Sequence, residues 1–196
     1  RHSGFKLGIV TKSALIARDV GLLTEIAKKN RLTVHLTVTT MNVKLARVLE
    51  PRAPRPDLRM ATLKQLRDAG LRAGVLCSPL MPGITDSVSS IRAVARAAAE
   101  AQACFFAAGA LFLKPCSLPT FMGFVREHFP NQLAAYEQRY SASAFVSAAY
   151  RKRVAELVEA ACREFKLGKR YTFEAAANGS TAEGDAVELQ PWLPFD

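Results

Sequence analysis

A lysine set between two hydroxyl residues, Thr11-Lys12-Ser13, is equipped to hold a carboxylate or a phosphate. The ammonium supplies the charge and the hydroxyls supply directed hydrogen bonds. Two other strings could share that work. Thr37 and Thr39 stand two residues apart in a run rich in β-branched residues, so on an extended chain both hydroxyls point to one face. The string Cys77-Ser78-Pro79-Leu80-Met81-Pro82-Gly83 is a proline-rich loop whose fixed amides and carbonyls can grip a flat ring such as adenine. A fourth string, Leu113-Lys114-Pro115-Cys116, brings a second lysine. Together they describe a small-molecule site for a ligand with a carboxylate and a ring. Each string also has a plain reading: a solvated lysine, threonines chosen for β-propensity, an ordinary Pro-Gly turn.

Other chemistries find no support in the residue pattern. The cysteines, Cys77, Cys104, Cys116 and Cys162, are widely spaced and form no CxxC or CxxxCxxC cluster, which argues against zinc or iron–sulfur ligation by this chain alone. His35 and His128 have no recognisable acid or nucleophile partner and read as structural or exposed. There is no HExxH and no glycine-rich phosphate loop. The net charge is +10, with basic groups at Lys28-Lys29-Arg31, Arg52-Arg55-Arg59 and Arg151-Lys152-Arg153. That balance permits a nucleic-acid partner and equally fits solvated helix faces. No apolar run is long enough to span a bilayer, and Arg1-His2-Ser3-Gly4 carries no apolar signal core, so a reduced, cytoplasmic setting without a membrane is expected.

The elements that must position these strings follow from periodicity and breakers. Residues 5–11, 32–39, 72–77 and 104–113 read as strands. Helical patterns fill the intervals, with Asp19, Asp57 and Asp86 as expected caps and Gly70 as an expected stop. Pro51, Pro54 and Pro56 end the helix that begins at Asn42. From about 119 to 166 the pattern is helical with a break near Pro130, and residues 169–196 read as a flexible tail behind a domain of 1–168. Alternation of strands and helices calls for an α/β fold with a parallel sheet. Four parallel strands cannot close a barrel, so an arc is expected, with any ligand at the C-terminal strand ends.

The strings, taken in order, resemble the radical S-adenosylmethionine (SAM) proteins of the spore-photoproduct-lyase-like group. The stretch Val10-Thr11-Lys12-Ser13-Ala14-Leu15, then Arg18-Asp19 and Leu22-Leu23, is similar to their "TKS…RD…LL". Val38-Thr39-Thr40 resembles "VTT", and Leu49-Glu50-Pro51-Arg52-Ala53-Pro54 resembles "LEPRAP". Pro56, Arg59, Leu63, Leu66, Ala69-Gly70, Gly74-Val75, Pro79, Pro82-Gly83 and Asp86 continue it, and Arg126-Glu127-His128-Phe129-Pro130 resembles "REHFP". The likeness runs from about residue 5 to 168.

The resemblance implies an incomplete parallel (β/α) barrel of radical SAM type: about four strands, the third to sixth of that barrel, with C-terminal helices. It implies SAM at the strand ends, with Lys12 on the methionyl carboxylate, Ser13 beside it, Thr37 and Thr39 toward the amino-acid end, and Ser78, Pro79, Leu80 and Met81 near the adenine. Arg18 and Glu50 match family positions, with a structural ion pair and a ligand contact both open. The family's [4Fe–4S] cluster sits on a CxxxCxxC motif after the first strand, which this sequence lacks. The expectation is therefore that the cluster ligands lie in missing N-terminal barrel strands, and that an apolar sheet edge stands ready for them. For the assembled enzyme the implied reaction is reductive SAM cleavage to start radical chemistry, with DNA as a candidate substrate and an electron donor as a partner. The residues leave open a second reading, a non-catalytic basic α/β module that binds nucleic acid or a protein.

Overall fold

A computed structural model of the chain describes residues 4–170. The expected tail, from 171 onward, lies outside the described residues. Strand β1 (Lys6–Thr11) leads through a 3₁₀ turn (Ala14–Asp19) into α1 (Val20–Lys29) and β2 (Arg31–Thr37). Helices α2 (Val43–Leu49) and α3 (Pro56–Asp68) precede β3 (Ala73–Leu80), and α4 (Val88–Glu100) precedes β4 (Phe106–Ala110). Then come α5 (Leu118–His128), a 3₁₀ turn (Pro130–Gln132), α6 (Leu133–Arg139) and α7 (Ala148–Glu164).

The sheet is wholly parallel in the order β1-β2-β3-β4. Strand order that follows chain order makes every crossover step the same way, which puts the helices on one face and leaves the other concave. Side-chain alternation agrees. Leu32, Val34, Leu36 and Val38 of the β2 segment pack with Ala73, Val75 and Cys77 of β3 against Leu63, Leu66, Ile91, Val94, Ala95 and Ala98 of the helices. Thr33, His35 and Thr37, the other parity of β2, therefore line the concave face. This is an α/β arc, the partial parallel barrel that alternation called for.

A second apolar cluster lies beyond the strand ends. Met81, Leu111, Leu113, Val125, Tyr136, Tyr140 and Val146 form it, with the Tyr140 hydroxyl donating to Leu111 O at 2.8 Å. It seats α5 and α6 on the C-terminal end of β3 and β4.

Several local expectations are corrected. β2 ends at Thr37, so Thr39 lies just past it, and β4 covers five residues, not the whole apolar run. Asp86 does not cap α4: Ser87 does, accepting from Ser90 N at 3.1 Å. Asp19 precedes α1 without a capping bond and pairs with Arg18 instead, and Asp57 sits in the first turn of α3 paired with Arg55. Gly70 does end α3. At φ +78° it lets Leu71 N reach back to Leu66 O at 3.1 Å. Among the described residues no helix is long and apolar enough to cross a membrane.

The two sheet edges differ. At β4, Phe106 N donates to Gly168 O at 3.1 Å, and Cys162 of α7 approaches Phe106 O. At β1, Phe5, Leu7 and Val10 are 52%, 39% and 54% exposed, with Leu15 and Leu22 beyond them also exposed. Apolar side chains are thus exposed along β1, whereas β4 is met by α7 and the segment after it.

Candidate functional site at the C-terminal strand ends

Lys12 follows β1 directly, and its Nζ lies 2.9 Å from Glu50 Oε1. Glu50 follows α2, in the turn where Pro51 and Pro54 stop the helix. Its other oxygen takes Arg59 NH2 at 2.5 Å. Arg59, on α3, is 2% exposed. Its Nε donates to Pro54 O and its NH1 to Thr37 O, both at 2.8 Å. One chain of charge-assisted bonds thus runs from the end of β1 through the proline turn to the end of β2.

Arg59 was unassigned by sequence reasoning, yet a signal existed. Pro56, Arg59, Met60, Leu63 and Leu66 are all buried and fall at helical spacing, so Arg59 stands on the apolar stripe of α3. An arginine there must be satisfied inside the protein, because an unpaired buried charge is too costly to keep.

The other expected site residues are placed as follows. Ser13 caps the 3₁₀ turn: its Oγ accepts from Leu15 N at 3.1 Å and its N donates to Thr11 Oγ1 at 3.0 Å. Thr37 is buried on the concave face, with its carbonyl taken by Arg59. Thr39 is buried just past β2. Ser78 is half-buried, its Oγ lying 3.4 Å from Gly109 O. Pro79 follows it through a cis bond, where the β3–β4 register shifts. Leu80 packs in the helix-side core and Met81 in the second cluster. Their backbone is also occupied: Leu80 O accepts Leu111 N, Met81 N donates to Thr85 Oγ1, and Met81 O accepts Ile84 N and Thr85 N. The structure therefore joins Lys12 to Thr37 through Glu50 and Arg59, while Leu80 and Met81 lie in the two apolar clusters.

The loop after β3 is held from below. Asp86 accepts Gly83 N at 2.8 Å on one oxygen and the Tyr150 hydroxyl at 2.8 Å on the other. Burial and that bond to Asp86 both raise the Tyr150 pKa, so it stays a neutral donor. Beside this loop, Leu45, Ile84, His128, Phe129 and Gln132 line an open cleft of about 330 Å³, which is where the "REHFP" string lies.

SAM carries a carboxylate, and the half-exposed Lys12 ammonium fits it. A [4Fe–4S] cluster does not fit the described residues: no three His, Cys, Asp or Glu side chains converge to hold a metal. Cys77 is fully buried on the helix side, where burial pushes its thiol up to about 12.

No family model matches the sequence. The uncharacterized protein Rv2578c of Mycobacterium tuberculosis is 27% identical over 165 residues, which is 84% of this chain and 48% of that one. The uncharacterized protein ORF301 of Acidianus two-tailed virus is 35% identical over 80 residues, 41% of this chain and 26% of that one. The uncharacterized protein MJ0683 of Methanocaldococcus jannaschii is 32% identical over 81 residues, 41% of this chain and 30% of that one. Among solved structures, a cysteine-to-serine mutant of spore photoproduct lyase superposes with a TM-score of 0.58 at 14% identity, covering 82% of this chain and 48% of the lyase. A tyrosine-to-phenylalanine mutant of the lyase gives 0.57 at 15% identity with the same coverage. The chain thus spans about half the length, or less, of the proteins it matches, and over most of its own length it shares the fold of the lyase structures.

Proposed function

We propose that this chain supplies the SAM-contacting strand ends of a radical SAM enzyme barrel. One observation carries the reading: a half-exposed lysine is fixed at the C-terminal strand ends of a parallel arc with the lyase fold, by a network that reaches β2. Ligands of such sheets bind at that end. In this reading Lys12 holds the methionyl carboxylate, and Ser13, Thr37, Thr39, Ser78 and Pro79 border the ligand. Leu80 and Met81 hold the adenine-side loop in place from within the core.

Bound SAM is the source of a 5′-deoxyadenosyl group for radical chemistry. In this reading the cluster ligands come from further polypeptide, for which the exposed apolar side chains of β1 offer a docking surface, since the described residues offer none. DNA is the candidate substrate, which the net charge of +10 supports. The four free thiols suit a reducing, cytoplasmic compartment.

Calorimetric titration of SAM into the chain tests the site. Binding that weakens at least tenfold in Lys12→Ala is expected, the loss of one charge-assisted contact of about 1.5 kcal/mol or more. Affinity unchanged by that substitution removes Lys12 from the site. The competing reading, a basic module that binds nucleic acid without catalysis, draws on the net charge of +10. Salt-sensitive binding of DNA in a chain that never binds SAM would favour it.

A further inference from the structure

We infer that Glu50 is the positioning residue of the strand-end site: it sets the Lys12 ammonium in place, and Arg59 cancels the charge Glu50 would otherwise cost the ligand. This rests on the SAM-site reading above and gives a role to the proline-flanked glutamate that the sequence left open.

The geometry assigns the parts. Arg59 is buried, and three bonds fix it: to Pro54 O, to Thr37 O and to Glu50 Oε2. Glu50, 13% exposed, is therefore anchored from behind, while Lys12 is 46% exposed on its open side. A lysine carries a long flexible stem, and ordering it on ligand binding is costly. Glu50 Oε1, 2.9 Å from Nζ, bears that ordering beforehand. The ammonium has three donors, and Glu50 engages it on one side, leaving donors for an incoming carboxylate.

The charges explain why three residues are needed. A lone Lys–Glu pair is neutral and attracts no anion. Arg59 adds a positive charge behind Glu50, so the group Lys12, Glu50 and Arg59 sums to one positive charge. Lys12 is held by an anion and still presents a cationic face. The fixed spacing of Glu50, Pro54 and Arg59 in the sequence is what the device requires, because Arg59 reaches both Glu50 and the Pro54 carbonyl from one helical position.

The sign of one substitution separates positioning from simple attraction. Glu50→Gln raises the charge of the group to two, so a site working by attraction alone binds anions more tightly. A site that depends on an ordered Lys12 binds them more weakly. The expected result is about a threefold to tenfold loss of SAM affinity, the cost of ordering one long side chain. Gln keeps an oxygen for Arg59, and thermal melting verifies the fold. In parallel, relaxation of the Lys12 ammonium in ¹⁵N-lysine-labelled chain should show it ordered in the wild type and mobile in Glu50→Gln. Unchanged or tighter SAM binding overturns the inference. So does weaker binding with the Lys12 ammonium equally ordered, because Glu50 would then act through the fold. Failure of the site reading itself looks different: Lys12→Ala binds SAM as well as the wild type does.

Discussion

The C-terminal rim of the arc and the floor of its concave face solve the burial of a basic side chain in opposite ways. At the rim, the buried Arg59 guanidinium is met by three acceptors. At the floor, His35 is 5% exposed and its Nδ1 has no partner. There the imidazole packs 5.0 Å from the Phe105 ring, over which Arg72 lies at 5.5 Å. Burial first, then the nearby Arg170 and Arg72 charges, drive its pKa down to about 4. The rim keeps a charge by partnering it, and the floor gives its charge up. A fixed charge is what a binding surface needs, and a neutral aromatic plug is what a closed floor needs.

The largest expected effect is at the rim. Arg59→Met removes the guanidinium and strands two carbonyls and one oxygen of Glu50, so a loss of about 3–5 kcal/mol in denaturant unfolding is expected. A loss below 1 kcal/mol would mean that the buried charge is dispensable and that rim and floor are alike. The floor's counterpart is Gly74→Ala. A Cβ there meets Phe105 O at 2.5 Å and the Phe105 ring at 2.7 Å, so backbone or ring must move, at a cost of about 1–3 kcal/mol. A neutral result would show that the Phe105 plug is loose.

How much of this was legible follows from the range of each interaction. The parallel arc was readable because β2, β3 and the helices carry their periodicity within single elements. Gly70 was readable as a stop for the same reason. Asp86 was misread because its partners are a loop amide and Tyr150, 64 residues along the chain, while an aspartate before a helix has the local look of a cap. Leu80 and Met81, which the resemblance puts near the adenine, also pack in the two apolar clusters, a placement that depends on residues far along the chain. Glu50 could not be resolved from sequence, since its two cations come from the end of β1 and from α3.

The pH response is a subtler test of the same contrast. His35 has a lowered folded pKa, so the unfolded chain, near 6.5, takes up its proton first as pH falls. Its neutral burial contributes fully above about 6.5, and that contribution is lost as pH drops toward 4. Stability should fall by about 1–3 kcal/mol more across this window in the wild type than in His35→Gln, which cannot titrate. Parallel curves for the two proteins would show that the floor histidine is solvated and that rim and floor do not differ in kind.

The smallest stability effect sharpens the comparison most, because it belongs to the residue with the largest expected role in binding. Lys12→Ala removes an ion pair whose lysine is half exposed, so about 0–1 kcal/mol is expected. Along the rim network, stability should then decrease from Arg59 through Glu50 to Lys12, while dependence of SAM affinity should be greatest at Lys12. Opposite gradients along one bonded chain are what a buried anchor and an exposed reader must produce. If melting curves put Lys12→Ala beside Arg59→Met, the network is a brace for the fold and its outer end is not a reader of ligand.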